Sequence, residues 1–249
     1  MLKNRCALVT GSVSGLGYAI AESLAKAGAN VVVNGLCEAA TGEAAASRLA
    51  AAAGVDAIFD GADLADVAAI ERMFANARAR FGGVDIVVNN AVVRYFSPIE
   101  SLPTEQWNNS LAVNVSAAFH CVRLALPGMR EKGWGRIINL SSIIVVSGRP
   151  NYLHYTASKS AMIGMTRAMA RELGRWNITV NALLPGTTKT DFSRTSAQAD
   201  HFERAMREQA IQRVADMSDH ARVLLFLCSD DAGFVTGQSH ICDGGRNFI

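Results

Sequence analysis

The chain has 249 residues, half of them hydrophobic, which is enough to bury the core of one large α/β domain. Acidic and basic residues nearly balance at a formal net charge of +2, and no Lys/Arg run with interleaved aromatic residues occurs, so the composition excludes a nucleic-acid-binding footprint. The apolar run near the N-terminus is too short for a signal peptide, and no run reaches the roughly 18 apolar residues of a membrane span, which predicts a cytoplasmic protein that does not enter a membrane.

The cysteines are odd in number, widely spaced and without a CxxC pair: Cys6, Cys37, Cys121, Cys228 and Cys242. Disulfide frameworks and zinc sites need paired or closely spaced thiols. The spacing therefore predicts reduced thiols and no metal site.

Taken in chain order, short apolar runs rich in β-branched residues alternate with longer Ala-rich stretches. The predicted strands cover residues 6–10, 30–34, 56–60, 84–90, 136–142 and 178–185. These runs are largely apolar throughout rather than alternating, as in parallel strands covered by helices on both faces. The pattern predicts an α/β fold in which one doubly wound, mostly parallel sheet occupies a single domain, residues 1–249.

The first predicted strand runs directly into the glycine-rich stretch "TGSVSGLG". Glycine allows a tight turn and lets a phosphate approach the backbone, and the N-terminus of the following helix offers free N–H donors to a pyrophosphate. At this place in a parallel sheet the pattern predicts a dinucleotide site. The candidate cofactor-binding residues of the turn are Gly11, Ser12, Ser14, Gly15, Leu16 and Gly17.

The end of the second predicted strand, "VVVNGLCEAA", bears on the choice of nicotinamide cofactor. Gly35 stands where a carboxylate would bind the ribose hydroxyls, and Leu36 where an arginine would bind a 2′-phosphate. Because no cation is available for the extra phosphate, NAD is favoured over NADP. After the third strand, Asp63 and Leu64 are placed to contact the adenine, although Asp63 could instead cap a helix.

Further along the chain, a set of motifs resembles the short-chain dehydrogenase/reductase family over the whole length. The matching motifs are Thr10-Gly11-x-x-x-Gly15-x-Gly17, Asn89-Asn90-Ala91, Asn114 in "LAVNVS", Ser142 in "NLSS", Tyr155-x-x-x-Lys159, Pro185-Gly186 and the terminal "TGQSHICDGG". This resemblance implies a Rossmann fold with a seven-stranded sheet and NAD(P)-dependent oxidoreduction of an alcohol/carbonyl pair. It also implies a homotetramer built on helices at 105–131 and 152–174.

Tyr155 and Lys159 lie four residues apart, so on a helix their side chains share one face. Oxidation of an alcohol requires loss of its hydroxyl proton, and an unperturbed tyrosine is a poor base near neutral pH. An ammonium about 4 Å away would stabilise a phenolate by roughly 4 kcal/mol at an effective dielectric of about 20, or on the order of three pK units. The pair is therefore predicted to be a base and the cation that lowers its pKa.

Ser142 follows the fifth predicted strand, at the edge where open α/β sheets bind ligands, and can orient the substrate oxygen. Ser141 is the alternative serine. The resemblance implies that Asn114 holds a water that links Lys159 to solvent, completing the catalytic set Asn114, Ser142, Tyr155 and Lys159. It further implies cofactor contacts from Tyr155, Lys159 and the set Asn90, Ala91, Pro185, Gly186, Thr188 and Thr190.

The chain departs from the family pattern at Val92, where a glycine is usual and where a β-branched residue disfavours a left-handed backbone. The first half is similar to bacterial 3-hydroxybutyrate dehydrogenases, which use NAD. Those enzymes place a histidine two residues after the catalytic serine and a lysine three before the tyrosine, where this chain has Ile144 and Tyr152. A small hydroxy acid is therefore not the expected substrate.

The candidate substrate pocket mixes aromatic, apolar and basic side chains near the strand ends. Its residues are Arg94, Phe96, Ile144, Arg149, Tyr152 and Phe192, with Tyr95, Val146 and His154 beside them. Arg94 could pair with an anionic group or lie in solvent, whereas His154 is expected to be a helix-start residue rather than a second base. The polar stretch 187–217 is either a substrate lid or a solvated helix.

The predicted function is hydride transfer between a nicotinamide cofactor and a small-molecule secondary alcohol or ketone. Three alternatives remain: a catalytically weak NAD(H)-binding sensor or scaffold, a 3-oxoacyl-type carbonyl reductase that uses NADPH, and an epimerase or dehydratase. The intact Asn114, Ser142, Tyr155, Lys159 set disfavours the sensor, because a protein without turnover has no physical need for a proton relay.

Overall fold

The computed structural model describes residues 1–189 and 196–248, and these contain a seven-stranded parallel sheet in the order β3-β2-β1-β4-β5-β6-β7. The strands are β1 Cys6–Val9, β2 Asn30–Asn34, β3 Ala57–Asp60, β4 Ile86–Asn89, β5 Gly135–Leu140, β6 Ile178–Pro185 and β7 Ser239–Cys242. Every pairing is parallel. The predicted doubly wound α/β fold with seven strands is thus confirmed, and the seventh strand comes from the C-terminal motif.

Helices connect the strands and cover both faces of the sheet. They are α1 Gly15–Lys26, α2 Ala39–Ala53, α3 Val67–Phe81, α4 Thr104–Leu111, α5 Ala117–Lys132, α6 Ile144–Ser147, α7 Leu153–Leu173, α8 Ser196–Glu208 and α9 Met217–Cys228. Local signals set several ends: Asp66 caps the N-terminus of α3, and Gly82 closes it with a left-handed φ of 78°. Asp216 and Asp219 form a capping box at the start of α9.

The core is split by the sheet into two layers because successive strand residues point to opposite faces. Ala7 and Val9 of β1 pack on one side, in a cluster that includes residues of α1, α2 and α9. Cys6 and Leu8 pack on the other side, in a cluster that includes residues of α3, α5 and α7. Both faces of β1 are therefore buried, which explains why the strand is apolar along its whole length.

The strand order reverses between β1 and β4, which pair with one another while leading to opposite halves of the sheet. Ligands of doubly wound sheets bind outside the carboxyl ends of the strands at this switch point. The sequence predicts that β5 reaches residue 142, but the strand ends at Leu140, so Ser141 and Ser142 leave the sheet at this edge. The glycine-rich turn after β1 lies at the same edge.

The opposite edge of the sheet holds a buried charge cluster around Asp85. The Asp85 carboxylate accepts hydrogen bonds from Cys6 N at 2.9 Å and from Lys132 Nζ at 2.6 Å. Arg5 lies 4.0 Å away. This cluster ties the starts of β1 and β4 to the end of α5, far from the carboxyl ends of the strands.

Residues Thr104–Lys132 form a continuous helical stretch in which five residues, Ala112–Ser116, adopt a π-helical turn between α4 and α5. By length and composition alone this stretch is apolar enough to cross a membrane, with one third of the apolar window buried. Core helices of soluble proteins pass the same test, so the stretch is weak evidence for a membrane span. π turns interrupt helices frequently at functional sites, and this one carries Asn114.

Candidate functional site

The glycine-rich turn combines tight packing with an open cradle. A Cβ on Gly17 would lie 2.1 Å from the Gly11 carbonyl oxygen, and one on Gly11 would lie 2.9 Å from Ala91 Cα. Gly15 has a left-handed φ of 60° and no atom within 4 Å of its Cβ position. Helix α1 begins at Gly15, and the Ser14 side chain does not cap it. The free N–H groups of the first turn of α1 therefore face this open space, and the space and the donors together fit a pyrophosphate.

Asn90 and Thr10 hold the turn against the end of β4. Asn90 Nδ2 donates to the carbonyl oxygens of Thr10 and Gly11 at 2.9 and 3.0 Å. Thr10 Oγ1 in turn accepts from the backbone N–H groups of Asn90 and Ala91. Residues of the two motifs therefore hold each other in place, and together they shape the candidate cofactor cradle.

The structure does not support the prediction that the Ser12 side chain binds the cofactor. Its side chain is fully buried, and its hydroxyl donates to Val9 O at 2.6 Å and accepts from Asn34 N at 3.2 Å. The hydroxyl thus joins the turn to the end of β2 and has no face left for a ligand. Ser14 is exposed and Leu16 is half-buried on α1, so both remain available to the cradle.

The predicted adenosine end lies beyond β2 and β3. Leu36 is 74% exposed there, and Gly35 is glycine for a packing reason, because its Cβ would lie 2.8 Å from Val13 Cγ2. Asp63 is exposed and accepts only a local bond from Ala65 N, while Leu64 is buried. The alternative of Asp63 as a helix cap is wrong, since Asp66 caps α3.

Tyr155 and Lys159 lie near the start of α7, and Ser142 approaches them from the loop after β5. Lys159 Nζ is 5.8 Å from the centroid of the Tyr155 ring, and the Ser142 hydroxyl is close enough to the phenol to lower its pKa. Ser141 is excluded as the alternative because it is buried and its hydroxyl donates to the Lys159 carbonyl oxygen at 2.8 Å. Three of the four predicted catalytic side chains therefore meet at the carboxyl edge of the sheet.

The electrostatics of Tyr155 differ from the sequence-based expectation. Burial, the largest influence, raises the pKa of the phenol above its ordinary value of 10.0, and Tyr152 adds to this. The Ser142 hydrogen bond and the positive charge of Arg94 act in the opposite direction and lower the pKa. The expected lowering by Lys159 is not what this structure shows, because desolvation outweighs the favourable contacts.

Lys159 is itself buried, and its ammonium is hydrogen-bonded to the end of β5. Its Nζ donates to the Leu140 carbonyl oxygen at 2.6 Å. Burial lowers the pKa of Lys159 from 10.5 to about 8. Lys159 is thus a group that can exchange its proton near neutral pH while bonded to the end of β5.

Asn114 uses its side chain to hold the loop after β4. Its Oδ1 accepts from Val93 N at 2.8 Å, and its Nδ2 donates to Val93 O and to Ser158 Oγ, each at 3.0 Å. The π turn shifts the local helix bonds so that Ala117 N donates to Ala112 O, five residues back. The water relay through Asn114 stays a prediction, whereas its contact with Ser158 links it to α7 directly.

The loop after β6 is held at several points beside the catalytic residues. Gly186 N donates to Cys242 O at 2.9 Å, and a Cβ on Gly186 would lie 2.5 Å from Asp243 Cβ. Thr188 Oγ1 donates to Gly186 O at 3.0 Å and lies 2.6 Å from His220 Nε2. Pro185 ends β6 at this point.

His220 is a contact that no sequence motif indicated. It is fully buried near the start of α9, and burial lowers the pKa of its imidazole. Thr190 and Phe192, the remaining predicted contacts of this segment, lie outside the described residues.

The loop that follows β4 forms one wall of the candidate substrate pocket. Its alternate residues turn inward, where Val93 N bonds Asn114, Tyr95 N donates to His154 Nε2 at 3.0 Å, and Ser97 N donates to Asn151 O. Arg94 and Phe96 are the exposed residues between them. His154 is buried and acts as a support for this loop, as expected of a helix-start residue.

Aromatic rings join this wall to the catalytic tyrosine. Phe96 packs edge-on against Tyr152 at 5.6 Å between centroids, and Tyr152 packs against Tyr155 at 6.2 Å. The Arg149 guanidinium lies 4.9 Å from the Tyr152 ring centroid. Ile144, half-buried in α6, sits beside Ser142, to whose hydroxyl its N–H donates. Four of these predicted pocket residues thus surround Tyr155 or Ser142.

Val92, the departure from the family pattern, is accommodated without strain. It is 45% exposed, and its backbone does not adopt a positive φ. The loop therefore does not need the conformational freedom of glycine at this position.

Comparisons with known proteins agree with this geometry. A family model described as enoyl-(acyl carrier protein) reductase matches residues 11–247. The D-beta-hydroxybutyrate dehydrogenase of Cupriavidus necator is 37% identical, with 98% of each chain covered. The human dehydrogenase/reductase SDR family member 4 is also 37% identical, over 98% of this chain and 88% of that protein.

Two further comparisons extend this agreement. The 3-oxoacyl-(acyl-carrier-protein) reductase FabG of Staphylococcus aureus is 35% identical, over 98% of this chain and 99% of that protein. A crystal structure assigned to the short-chain alcohol dehydrogenases, from Sinorhizobium meliloti 1021, superposes with a TM-score of 0.92 at 34% identity and covers 98% of this chain and 97% of that one.

Proposed function

Because the chain belongs to the short-chain dehydrogenase/reductase family, we propose that it transfers a hydride between a nicotinamide cofactor and a secondary alcohol or ketone, with Tyr155 as the acid/base. The observation that carries this proposal is the meeting of Ser142, Tyr155 and Lys159 at the carboxyl edge of the sheet, beside the glycine-rich cradle. A nucleotide-binding scaffold without chemistry would not require a hydrogen-bonded phenol there.

In the oxidation of an alcohol, Tyr155 as phenolate accepts the hydroxyl proton of the substrate. Before the proton transfer, the single proton of the Ser142 hydroxyl is donated to the phenolate, which favours the charged form. As the substrate oxygen loses its own proton to Tyr155, the Ser142 hydroxyl turns to donate to that oxygen. Lys159, with a pKa of about 8, returns a proton to the site or removes one. When bound, the nicotinamide supplies the hydride acceptor, and its positive charge in the oxidised form favours the phenolate.

In the reverse direction Tyr155 donates its proton to the carbonyl oxygen. The raised pKa suits this step, because a neutral phenol is the required acid. A screen of alcohols with oxidised cofactor and of ketones with reduced cofactor, following nicotinamide absorbance, tests the reaction class. Binding of reduced cofactor without turnover of any member would favour the sensor alternative instead.

We further propose that NAD is the preferred cofactor. Residues 35–37 after β2 carry no cation for a 2′-phosphate, and the exposed Leu36 offers an apolar contact instead. The alternative is a 3-oxoacyl-type reductase that uses NADPH, the reaction that the name of the Staphylococcus aureus relative suggests. Measuring kcat/KM for both cofactors with one accepted substrate decides between them, since a clear NADP preference would overturn the NAD assignment.

We also propose a domain arrangement, a location in the cell and an oligomeric state for this chain. One domain spans residues 1–249, with residues 187–217 as a lid, and the cytoplasmic chain forms a homotetramer on its long helices. The tetramer is supported by the apolar stretch Thr104–Lys132, of whose apolar window only a third is buried, and by exposed Phe119. Light scattering on the purified protein tests it, and a monomer at micromolar concentration would refute it.

A further inference from the structure

We infer that the substrate of the proposed oxidoreduction carries an anionic group, which Arg94 and Arg149 bind at the aromatic wall beside Tyr155. The inference deepens the proposed function and rests on it. The anion site is the wall of the pocket that is formed by the loop after β4 and by the residues that lead into α7.

The backbone determines where Arg94 points. The loop after β4 alternates between the interior and the surface, and the three inward residues are each pinned: Val93 by Asn114, Tyr95 by His154 and Ser97 by the Asn151 carbonyl. Arg94 and Phe96 are consequently left on the exposed side of the loop. Phe96 is in ring contact with Tyr152, so this side of the loop faces the catalytic helix.

Arg149 reaches the same wall from the other direction. Its guanidinium lies 4.9 Å from the centroid of the Tyr152 ring, which in turn packs against Tyr155. A guanidinium stacked on an aromatic ring is partly ordered before a ligand arrives, so less entropy is lost when it bonds an anion. Arg149 therefore reaches Tyr155 through the Tyr152 ring, and Arg94 acts on the same phenol from the loop after β4.

Neither guanidinium is neutralised by a carboxylate of the described residues. Within residues 1–189 and 202–248, Arg94 and Arg149 have no hydrogen bond or ion pair, whereas Arg80, Arg123 and Arg213 each pair with a carboxylate. Arg94 is also near enough to act on Tyr155, and no carboxylate of the described residues opposes that effect. With Lys159 buried beneath, the pocket is a region of positive charge that favours an anion.

The uncharged residues near the two arginines limit which side chains can bind the anion. Ile144 and Tyr152 carry no positive charge, so Arg94 and Arg149 are the cationic donors on this wall. Phe96 is 67% exposed and Tyr152 half-buried, which leaves apolar ring surface for the body of the molecule. The expected substrate is thus a secondary alcohol or ketone with an apolar body and an anionic end.

The test uses ketones in matched acid and amide forms, namely a short aliphatic keto acid and its amide, and 4-acetylbenzoate and its amide. Each pair shares size and reacting carbonyl and differs in one charge. With reduced cofactor and the full-length protein, we expect kcat/KM for the preferred acid to exceed that of its amide by about 10- to 100-fold, the range of charge-assisted hydrogen bonds. High salt should reduce this ratio, because the arginines are exposed.

Variants assign the effect to the arginines. In Arg94→Gln combined with Arg149→Gln the ratio should fall close to one, and Arg94→Lys should retain more of it than Arg94→Gln because the charge remains while the two-pronged geometry is lost. Arg78→Gln is the matched control: it removes the same charge from an exposed position near the end of α3, at the opposite edge of the sheet, and should keep the wild-type ratio. Thermal melting checks that each variant is folded.

The outcomes separate the two proposals. Turnover of neutral ketones with no preference for the acid of either pair overturns the anion site and leaves the oxidoreductase proposal intact. An acid preference that persists in the double variant overturns the roles of Arg94 and Arg149. Failure to turn over any alcohol or ketone with either cofactor overturns the proposed function itself.

Discussion

Tyr155→Phe removes one oxygen from the proposed acid/base and leaves the ring in place. The contacts of the ring with Tyr152 and with the Lys159 ammonium do not depend on that oxygen. Positioned proton transfer contributes about 10²- to 10⁴-fold to rate, so kcat should fall by at least about 100-fold. Reduced cofactor should bind within a few-fold of the wild type, because the glycine-rich cradle is unchanged.

The structure also bounds the effect of this substitution on stability. The variant loses the contact of the phenol oxygen with Ser142, worth at most about 1 kcal/mol, and it also removes a hydroxyl from a half-buried residue. Ser142 still accepts from Ile144 N at 3.3 Å and is not left without a partner. The free energy of unfolding should therefore change by no more than about 1 kcal/mol.

The assay combines steady-state turnover, fluorescence titration with reduced cofactor, and urea denaturation. Tyr18→Phe is a matched control, since it deletes a phenolic oxygen from α1 on a ring that lies under Arg48 and should keep wild-type kcat. A Tyr155→Phe protein that is folded, binds cofactor and retains more than about a tenth of wild-type kcat would show that another group is the base, contrary to the 100-fold minimum expected here.

Three further predictions follow from the cradle, the distal charge cluster and the buried lysine. Gly15→Ala should weaken cofactor binding at least about tenfold, because a Cβ would enter the open space, with a stability cost of only about 1–2 kcal/mol for the left-handed backbone. Gly17→Ala should lower the melting temperature more, since its Cβ meets the Gly11 carbonyl at 2.1 Å; equal melting of the two variants contradicts this. Asp85→Ala should lower the free energy of unfolding by about 3 kcal/mol in urea denaturation, because it strands Lys132 and the buried Cys6 N–H, while kcat per folded molecule stays unchanged. For Lys159, the pKa falls from 10.5 to about 8 on burial, so between these values the unfolded chain binds more protons than the native one. The stability of the wild type relative to Lys159→Met should thus rise with pH across this window, by up to about 3 kcal/mol at about 1.4 kcal/mol per pK unit, and a difference that is flat with pH would refute the buried ammonium.

The sequence was most informative where one residue type is required by local geometry. Continuous apolar runs indicate strands buried on both faces, and β1 has that environment on both of its sides. Gly11, Gly15 and Gly17 predict a tight turn; a Cβ would clash at Gly11 and Gly17, and Gly15 has a left-handed backbone that favours glycine. Residues four apart on a helix share a face, so the spacing places Tyr155 and Lys159 together, and the other motifs of the chain make this pair a candidate for chemistry.

The sequence was less informative where an energy depends on surroundings from distant parts of the chain. The pKa of Tyr155 is raised because several elements bury it, and the ammonium of Lys159 bonds the end of β5 rather than the phenol. Ser12 matches the cofactor motif by position, yet its hydroxyl is taken up by β1 and β2. His220 has no motif at all and meets Thr188 only because α9 packs beside the loop after β6.

The sequence by itself therefore determined the α/β class, the dinucleotide cradle and the identity of the proposed acid/base, because these follow from short-range steric and periodic constraints. Only the tertiary structure decided which hydroxyls are free, where Lys159 directs its proton, and that Arg94 and Arg149 meet no carboxylate of the described residues near Tyr155. Desolvation and charge depend on every neighbour in three dimensions, and those neighbours come from segments far apart in the chain.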